Sequence, residues 1–229
     1  MKKAIVCGIA AIALASTAQA QVINELMISH AGTDNQEFVE ICAQPNEDLS
    51  GLTFVVIEGD TTSNYGTIDV AVTLGTAGPD GYYVAGNTAV ANLDQDIGAS
   101  NVLENGTNTF LLVSGFTGAQ GDDIDADGDG VADGSIGTIV DIIGRNDGGP
   151  DFVYYGAPLM PADGSFAAAG VARCEDCTGS LDQLLCFGVN NCDLGTDGYA
   201  NITPGAANQC GGSTATEEAS WGDVKSMFR

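Results

Sequence analysis

The sequence predicts an all-β protein, an antiparallel sandwich or barrel, and three observations predict it. Nine short segments rich in β-branched and aromatic residues recur between Val22 and Arg173, separated by Gly, Asn, Asp and Thr. One of them, Thr67 to Leu74, alternates as a half-buried strand does: Ile68, Val70, Val72 and Leu74 on one face, Thr67, Asp69, Ala71 and Thr73 on the other. No convincing amphipathic helix interrupts this body, and 32 glycines suit frequent turns at positive φ. At 229 residues and 44% hydrophobic composition, the chain has room for one large β domain or at most two small ones, with a packed core.

Taken in order, the chain opens with an address. Lys2 and Lys3 precede an apolar run from Ala4 to Leu14, and Ala18-Gln19-Ala20 has small residues at cleavage-site spacing, so residues 1–20 are expected to be a signal peptide cut after Ala20. Cys7 lies too early in that run for lipid attachment. The run is shorter than the roughly 20 residues that cross a bilayer, and no later one approaches that length; no membrane span is expected. The predicted strands are Ile23 to Ile28, Glu37 to Cys42, Thr53 to Glu58, Thr67 to Leu74, Tyr82 to Ala85, Thr109 to Val113, Thr138 to Ile143, Phe152 to Tyr155 and Phe166 to Arg173. Asn105-Gly106 ahead of Thr109 is a turn-then-strand signal. Together they make one domain over residues 21–210.

Six cysteines follow the signal: Cys42, Cys174, Cys177, Cys186, Cys192 and Cys210. An even number after export reads as three disulfides, with 15 possible pairings. The spacing of Cys174, Cys177, Cys186 and Cys192 also permits a four-thiolate zinc site, although exported thiols ordinarily oxidise. After Cys210, residues 211–216 read as a linker. Residues 217–229 then place Trp221, Val224 and Phe228 at helical spacing, acids first and bases last, which predicts a short amphipathic C-terminal helix stable only when docked.

Several of these segments resemble a known family. Val22-Ile23-Asn24-Glu25-Leu26, Gly32-Thr33-Asp34, Glu37-Phe38-Val39-Glu40-Ile41 and Asp48-Leu49-Ser50-Gly51 are similar to the opening of bacterial lamin-tail-like domains. Asn105-Gly106 through Val113, Thr138 to Asp141, and Thr203-Pro204-Gly205-Ala206-Ala207-Asn208 continue the likeness. The family usually carries Trp after the Leu-Ser-Gly turn; here Leu52, Thr53 and Phe54 follow. The resemblance implies an immunoglobulin-like β-sandwich, often on secreted or surface proteins, with no catalytic residues to carry over.

The most informative stretch for chemistry is Asp122 to Asp133. Alternate carboxylates aim several hard oxygens at one centre and Gly130 permits a sharp turn, which suits Ca²⁺ with its six to eight oxygen ligands. Counting from Asp125, the ligand positions are Asp125, Asp127, Asp129, the Val131 carbonyl and Asp133, as in a thrombospondin type 3 repeat or the first part of an EF-hand loop. Position twelve is Ile136, so the bidentate Glu of an EF-hand is missing, and Asp123 or a carboxylate from elsewhere must complete the shell. The expected cofactor is structural Ca²⁺.

Charge narrows the function further. Six Lys and Arg against 31 Asp and Glu give −25, and −27 once Lys2 and Lys3 are removed, which opposes binding to a phosphate backbone. His30, the single histidine, excludes multi-histidine metal centres and falls in the loop between the first two strands. Glu25, Asp34, Glu37 and Glu40 lie close to it in sequence, a grouping open to metal-assisted hydrolysis. Alternation also puts Glu40 beside Phe38 and Cys42, as for a hydrogen-bonded carboxylate inside the sandwich. The expected function is an exported, non-catalytic binding, adhesion or surface-structural module for an extracellular or cell-surface protein or glycan. The alternative is a secreted carboxylate- and Ca²⁺-dependent hydrolase, of nuclease or glycosidase type. Secreted, surface and periplasmic locations all fit.

Overall fold

A computed structural model describes residues 20–29, 33–160, 169–173, 175–179 and 202–208, and the backbone of 184–186. The signal segment, His30, the 211–216 linker and the 217–229 tail lie outside the described residues. Among the described residues ten strands form two sheets. In chain order they are β1 (Val22–Met27), β2 (Phe38–Cys42), β3 (Leu52–Glu58), β4 (Ile68–Thr73), β5 (Tyr82–Asn87), β6 (Gln95–Gly98), β7 (Asn108–Ser114), β8 (Thr138–Arg145), β9 (Gly170–Arg173) and β10 (Leu184–Cys186). One sheet runs β10-β9-β1-β2-β5-β6 and the other β4-β3-β7-β8. All pairs are antiparallel except β5 with β6, which run parallel. Among the described residues no helix is long and apolar enough to cross a membrane.

The two sheets pack face to face, because side chains from both enter one core: Ile23, Leu26, Val39, Ile41 and Ala85 from the six-stranded sheet, Phe54, Val56, Val70, Phe110 and Leu112 from the four-stranded one. Phe54 and Phe110 stack with ring centroids 6.4 Å apart, an aromatic pair within the shared core. Each sheet also has a buried outer face. Met27, Phe38, Val84 and Ala172 form an apolar cluster outside the six-stranded sheet, and Val55, Ile57, Leu111, Val113, Ile136 and Tyr154 form another outside the four-stranded sheet. This second burial explains why β2, β3 and most of β7 are buried at every position rather than at alternate ones.

Three local expectations differ from the structure. The register of β3 with β4 slips between Val56 and Ile57, so Ile68 sits in the outer cluster while Val70 and Leu74 stay in the core. Phe152 to Tyr155 is not a strand: Tyr154–Gly156 form a 3₁₀ turn with Tyr155 at φ 55°. Its aromatic residues mimic a strand in composition but pack flat against the outer face of the four-stranded sheet. Glu40 is buried and hydrogen-bonded, though on the face of β2 turned away from the opposing sheet.

Cys42 and Cys177 form a disulfide, Cα–Cα 5.4 Å, closing a sequence separation of 135 residues. Cys177 is therefore not available to the four-thiolate zinc set, which falls. Cys174, Cys192 and Cys210 lie outside the described residues, and only the backbone of Cys186 is described.

Candidate metal centre

The acidic stretch lies over the outer face of the four-stranded sheet. Apolar residues spaced between the aspartates hold it there: Ile124, Ala132 and Ile136 pack with Ile57, Ile68, Phe152 and Tyr154. Ile136 is 5% exposed, so the position that carries a ligand in an EF-hand serves here as an anchor in the apolar layer. Backbone bonds complete the attachment, with Ile68 N donating to Asp122 O at 2.9 Å and Ile124 N to Gly66 O at 2.8 Å. Gly130 has φ +82°, and a Cβ on it would meet Phe152 Cδ1 at 2.3 Å; the turn closes only with glycine.

Asp125, Asp127 and Asp129 each offer a carboxylate oxygen within 4.8 Å of the others. Asp125 is 3% exposed and is the pivot: Oδ1 accepts from Asp129 N at 3.1 Å, and Oδ2 from Gly130 N and the Tyr154 hydroxyl, both at 2.9 Å. Burial, and then the bond to Asp125, hold the Tyr154 phenol well above its ordinary range, so it stays a donor. Asp127 and Asp129 are exposed, and the Asp127 carboxyl is raised above its usual value, first by the charge of Asp129. Asp123 and Asp133 shape the loop through one oxygen each: Asp123 Oδ1 accepts from Asp125 N at 2.9 Å, and Asp133 Oδ2 from Ala126 N at 2.7 Å. Val131 is 64% exposed, and its amide donates to Asp129 Oδ1. Three of the expected ligands thus converge while two others fold the loop around them. An all-oxygen donor set of this kind fits a hard cation rather than a soft metal. Tyr154 and Gly66, which brace Asp125, had no signal in the sequence beyond their residue types.

The carboxylates of the first two strands are used differently. The register of β1 with β2 slips between Ile23 and Glu25, which leaves Asn24 as an extra residue and turns both Asn24 and Glu25 outward beside Glu40. Residues 202–208 fold back over them. Glu25 accepts from Thr203 N at 3.0 Å and from its hydroxyl at 3.1 Å; Glu40 accepts from Asn24 Nδ2 at 2.8 Å and Gly205 N at 2.7 Å. Asn208 Nδ2 donates to Asn24 O and Arg173 O, and its backbone N–H donates to Asp176 Oδ1. Burial pushes the Glu25 carboxyl up to about 7 against the pull of the Thr203 bonds, and Glu40 up to about 8. Glu37 likewise accepts from Val102 N at 2.7 Å and Leu103 N at 3.2 Å, and Asp34 Oδ2 from Asn105 Nδ2 at 2.7 Å.

A cleft of about 710 Å³ is lined in part by Val22, Pro45, Asp80, Tyr82, Asp176 and Thr178. Its Asp176 accepts from Asn24 and Asn208 through Oδ1 and from the Tyr82 hydroxyl, at 2.6 Å, through Oδ2. Asp80 Oδ1 accepts from Tyr82 N at 3.1 Å. In comparisons with family models, curated proteins and solved structures, nothing matches this chain.

Proposed function

We propose that this chain is an exported, non-catalytic sandwich of the immunoglobulin-like, lamin-tail-like kind, stabilised by Ca²⁺ and disulfides, that acts as a binding or surface-structural module. One observation carries the reading: Glu25, Glu37 and Glu40 spend their carboxylates on the amides of distant segments, at residues 203, 102, 103 and 205. Acids used as clamps are not free to approach a substrate. The same holds for Asp176, which lines the 710 Å³ cleft but is bonded through both oxygens. The hydrolase alternative needs a convergent pocket with a free pair of acids, and these bonds weigh against Glu25, Glu37, Glu40 and Asp176 in that role.

Support for export comes from the Cys42–Cys177 bond, since such bonds persist where thiols oxidise. Support for the family reading comes from the placement of its motifs. The Val22 and Glu37 segments pair as β1 and β2, the Thr109 and Thr138 segments pair as β7 and β8, and the Thr203 to Asn208 segment closes over the first pair. The loop at Asp125, Asp127 and Asp129 supports Ca²⁺, with Asp123, the Val131 carbonyl and Asp133 completing the shell on binding. Affinity on the order of 10⁻⁴ to 10⁻³ M, as in extracellular modules, makes occupancy constant outside the cell. The test is a pull-down from cell-surface protein and glycan fractions with purified chain, in Ca²⁺ and in chelator, beside assays for nuclease and glycosidase activity. A partner retained only in Ca²⁺ supports the module. Hydrolysis abolished by Glu25→Gln or Glu40→Gln in a variant that still folds overturns it.

A further inference from the structure

One end of the sandwich carries a second concentration of oxygen ligands, on the opposite side of the four-stranded sheet from the acidic loop. Alternation along β3 turns Phe54 and Val56 into the core, and Glu58, the last residue of the strand, continues that face. Asp69 is the residue left unpaired by the slip between β3 and β4. Ile68 and Ala71 pack outward, so Asp69 shares the inner side with Val70. Glu104 arrives on the loop before β7, which Glu37 clamps through Val102 N and Leu103 N. The carboxylates of Glu58, Asp69 and Glu104 each place an oxygen within 4.8 Å of the others.

Two buried oxygens at this end have no partner. Glu58 is 1% exposed; Oε1 accepts from Asp60 N, and Oε2 accepts from nothing. Asn108 is fully buried and stands directly opposite Glu58 in the β3–β7 register. Its Nδ2 donates to Glu104 O and Gly106 O, which fixes the amide orientation, and its Oδ1 is unpartnered. These are the two unsatisfied buried side-chain atoms among the described residues, and both are acceptors. Acceptors left together in this way call for a donor of positive charge. Oxygens about 2.4 Å from a single ion lie no more than about 4.8 Å apart, so the three carboxylates are close enough to share one ion. Asp69 and Glu104 also line a cleft of about 480 Å³ between the edge strands β4 and β6, which gives an ion a route in and room for its waters.

We propose that Glu58, Asp69 and Glu104, with the side-chain oxygen of Asn108, form a Ca²⁺ site distinct from the acidic loop. The ion joins β3, β4 and β7 to the loop that closes this end of the sandwich. It satisfies both orphaned oxygens at once, which one proton shared among the carboxylates does not.

Calorimetric titration of metal-free protein with Ca²⁺ separates the two sites. The wild type is expected to take up two ions and Asp127→Asn/Asp129→Asn one. Adding Glu104→Gln to that double variant is expected to weaken the remaining ion roughly tenfold or more. Glu104 is exposed, so its substitution leaves the fold intact by circular dichroism, and Asp69→Asn serves as an independent check. Absence of uptake by the double variant at about 10 mM Ca²⁺ overturns the site in favour of a shared proton or a water. Uptake unchanged by both Glu104→Gln and Asp69→Asn overturns it as well. If the wild type binds a single ion that is lost with Glu104→Gln but kept in the double variant, this site stands and the acidic loop is the one that is empty.

Discussion

Arg173 on β9 donates through Nη2 to Asp141 Oδ2 on β8 at 2.8 Å, tying one sheet to the other inside the molecule. The same Asp141 oxygen accepts the Ile23 amide at 2.8 Å, while Arg173 Nε donates to Ile23 O at 2.8 Å and Nη1 to Gly179 O at 2.5 Å. With side chains 3% and 10% exposed, the pair is desolvated and fully engaged.

Breaking this pair from one side leaves an uncompensated charge in the interior. Arg173→Met is expected to cost about 3–5 kcal/mol in urea unfolding, and Arg173→Met/Asp141→Leu to recover only part of that loss, since Ile23 N, Ile23 O and Gly179 O still lose their partners. A single-variant cost below about 1 kcal/mol would show that the bridge contributes little.

Substitutions in the acidic loop divide by burial. Asp127→Asn and Asp129→Asn remove exposed, mutually repelling charges, so in chelator they leave the melting temperature unchanged or raised, yet they remove the part of the Ca²⁺-induced increase that the loop supplies. Asp125→Asn behaves differently. It disturbs the bonds from Asp129 N, Gly130 N and Tyr154 and lowers stability by about 1–3 kcal/mol even without metal. Thermal melts in chelator and in Ca²⁺ check both; equal losses for the three variants in chelator would contradict the placement of Asp125.

Stability should depend on pH in the sense opposite to ordinary acid denaturation. Glu25 and Glu40 are raised to about 7 and about 8 in the folded chain, so folding takes up protons. Their contribution is complete below the unfolded value of 4.5 and is lost as pH rises through 7 and 8. In chelator the melting temperature is expected to fall by on the order of 5 °C or more between pH 5 and pH 9. Glu40→Gln should flatten that slope. A profile that rises with pH would refute the burial argument.

The Cys42–Cys177 bond closes a loop long enough that its removal should be felt chiefly in the unfolded chain. With the cysteines separated by 135 positions, Cys42→Ala/Cys177→Ala is expected to lose about 5 kcal/mol in urea unfolding. A loss under about 1 kcal/mol would mean that other bonds already restrict the unfolded chain.

Legibility in the sequence followed the range of the physics. Alternation and β-branched runs identified β3, β4 and β7, because pleat and local composition act within a few residues. β6 has the composition Gln-Asp-Ile-Gly and is a strand only because β5 offers it an edge, so no local pattern marked it. The acidic loop was readable as a ligand array, and three of its carboxylates do converge. The role of Ile136 was not, since it depends on an apolar layer supplied by other strands. Glu25 and Glu40 looked like possible chemistry because their partners stand 178 and 165 residues further along. A bulge at Asn24 aims Glu25 outward beside Glu40, and bulges leave no mark in composition.

The return of Thr203 to Asn208 onto β1 and β2 has a consequence for the order of events during synthesis. β1 lies between β2 and β9, and its outward Glu25, with Glu40 of β2 beside it, is covered by residues that emerge from the ribosome more than 150 positions later. A nascent chain that has produced β1 to β8 still presents an open hydrogen-bonding edge along its first strand and bare carboxylates on its first two. Closure waits for the far end of the polypeptide, so a chain stopped short of Asn208 stays loose and remains within reach of proteases.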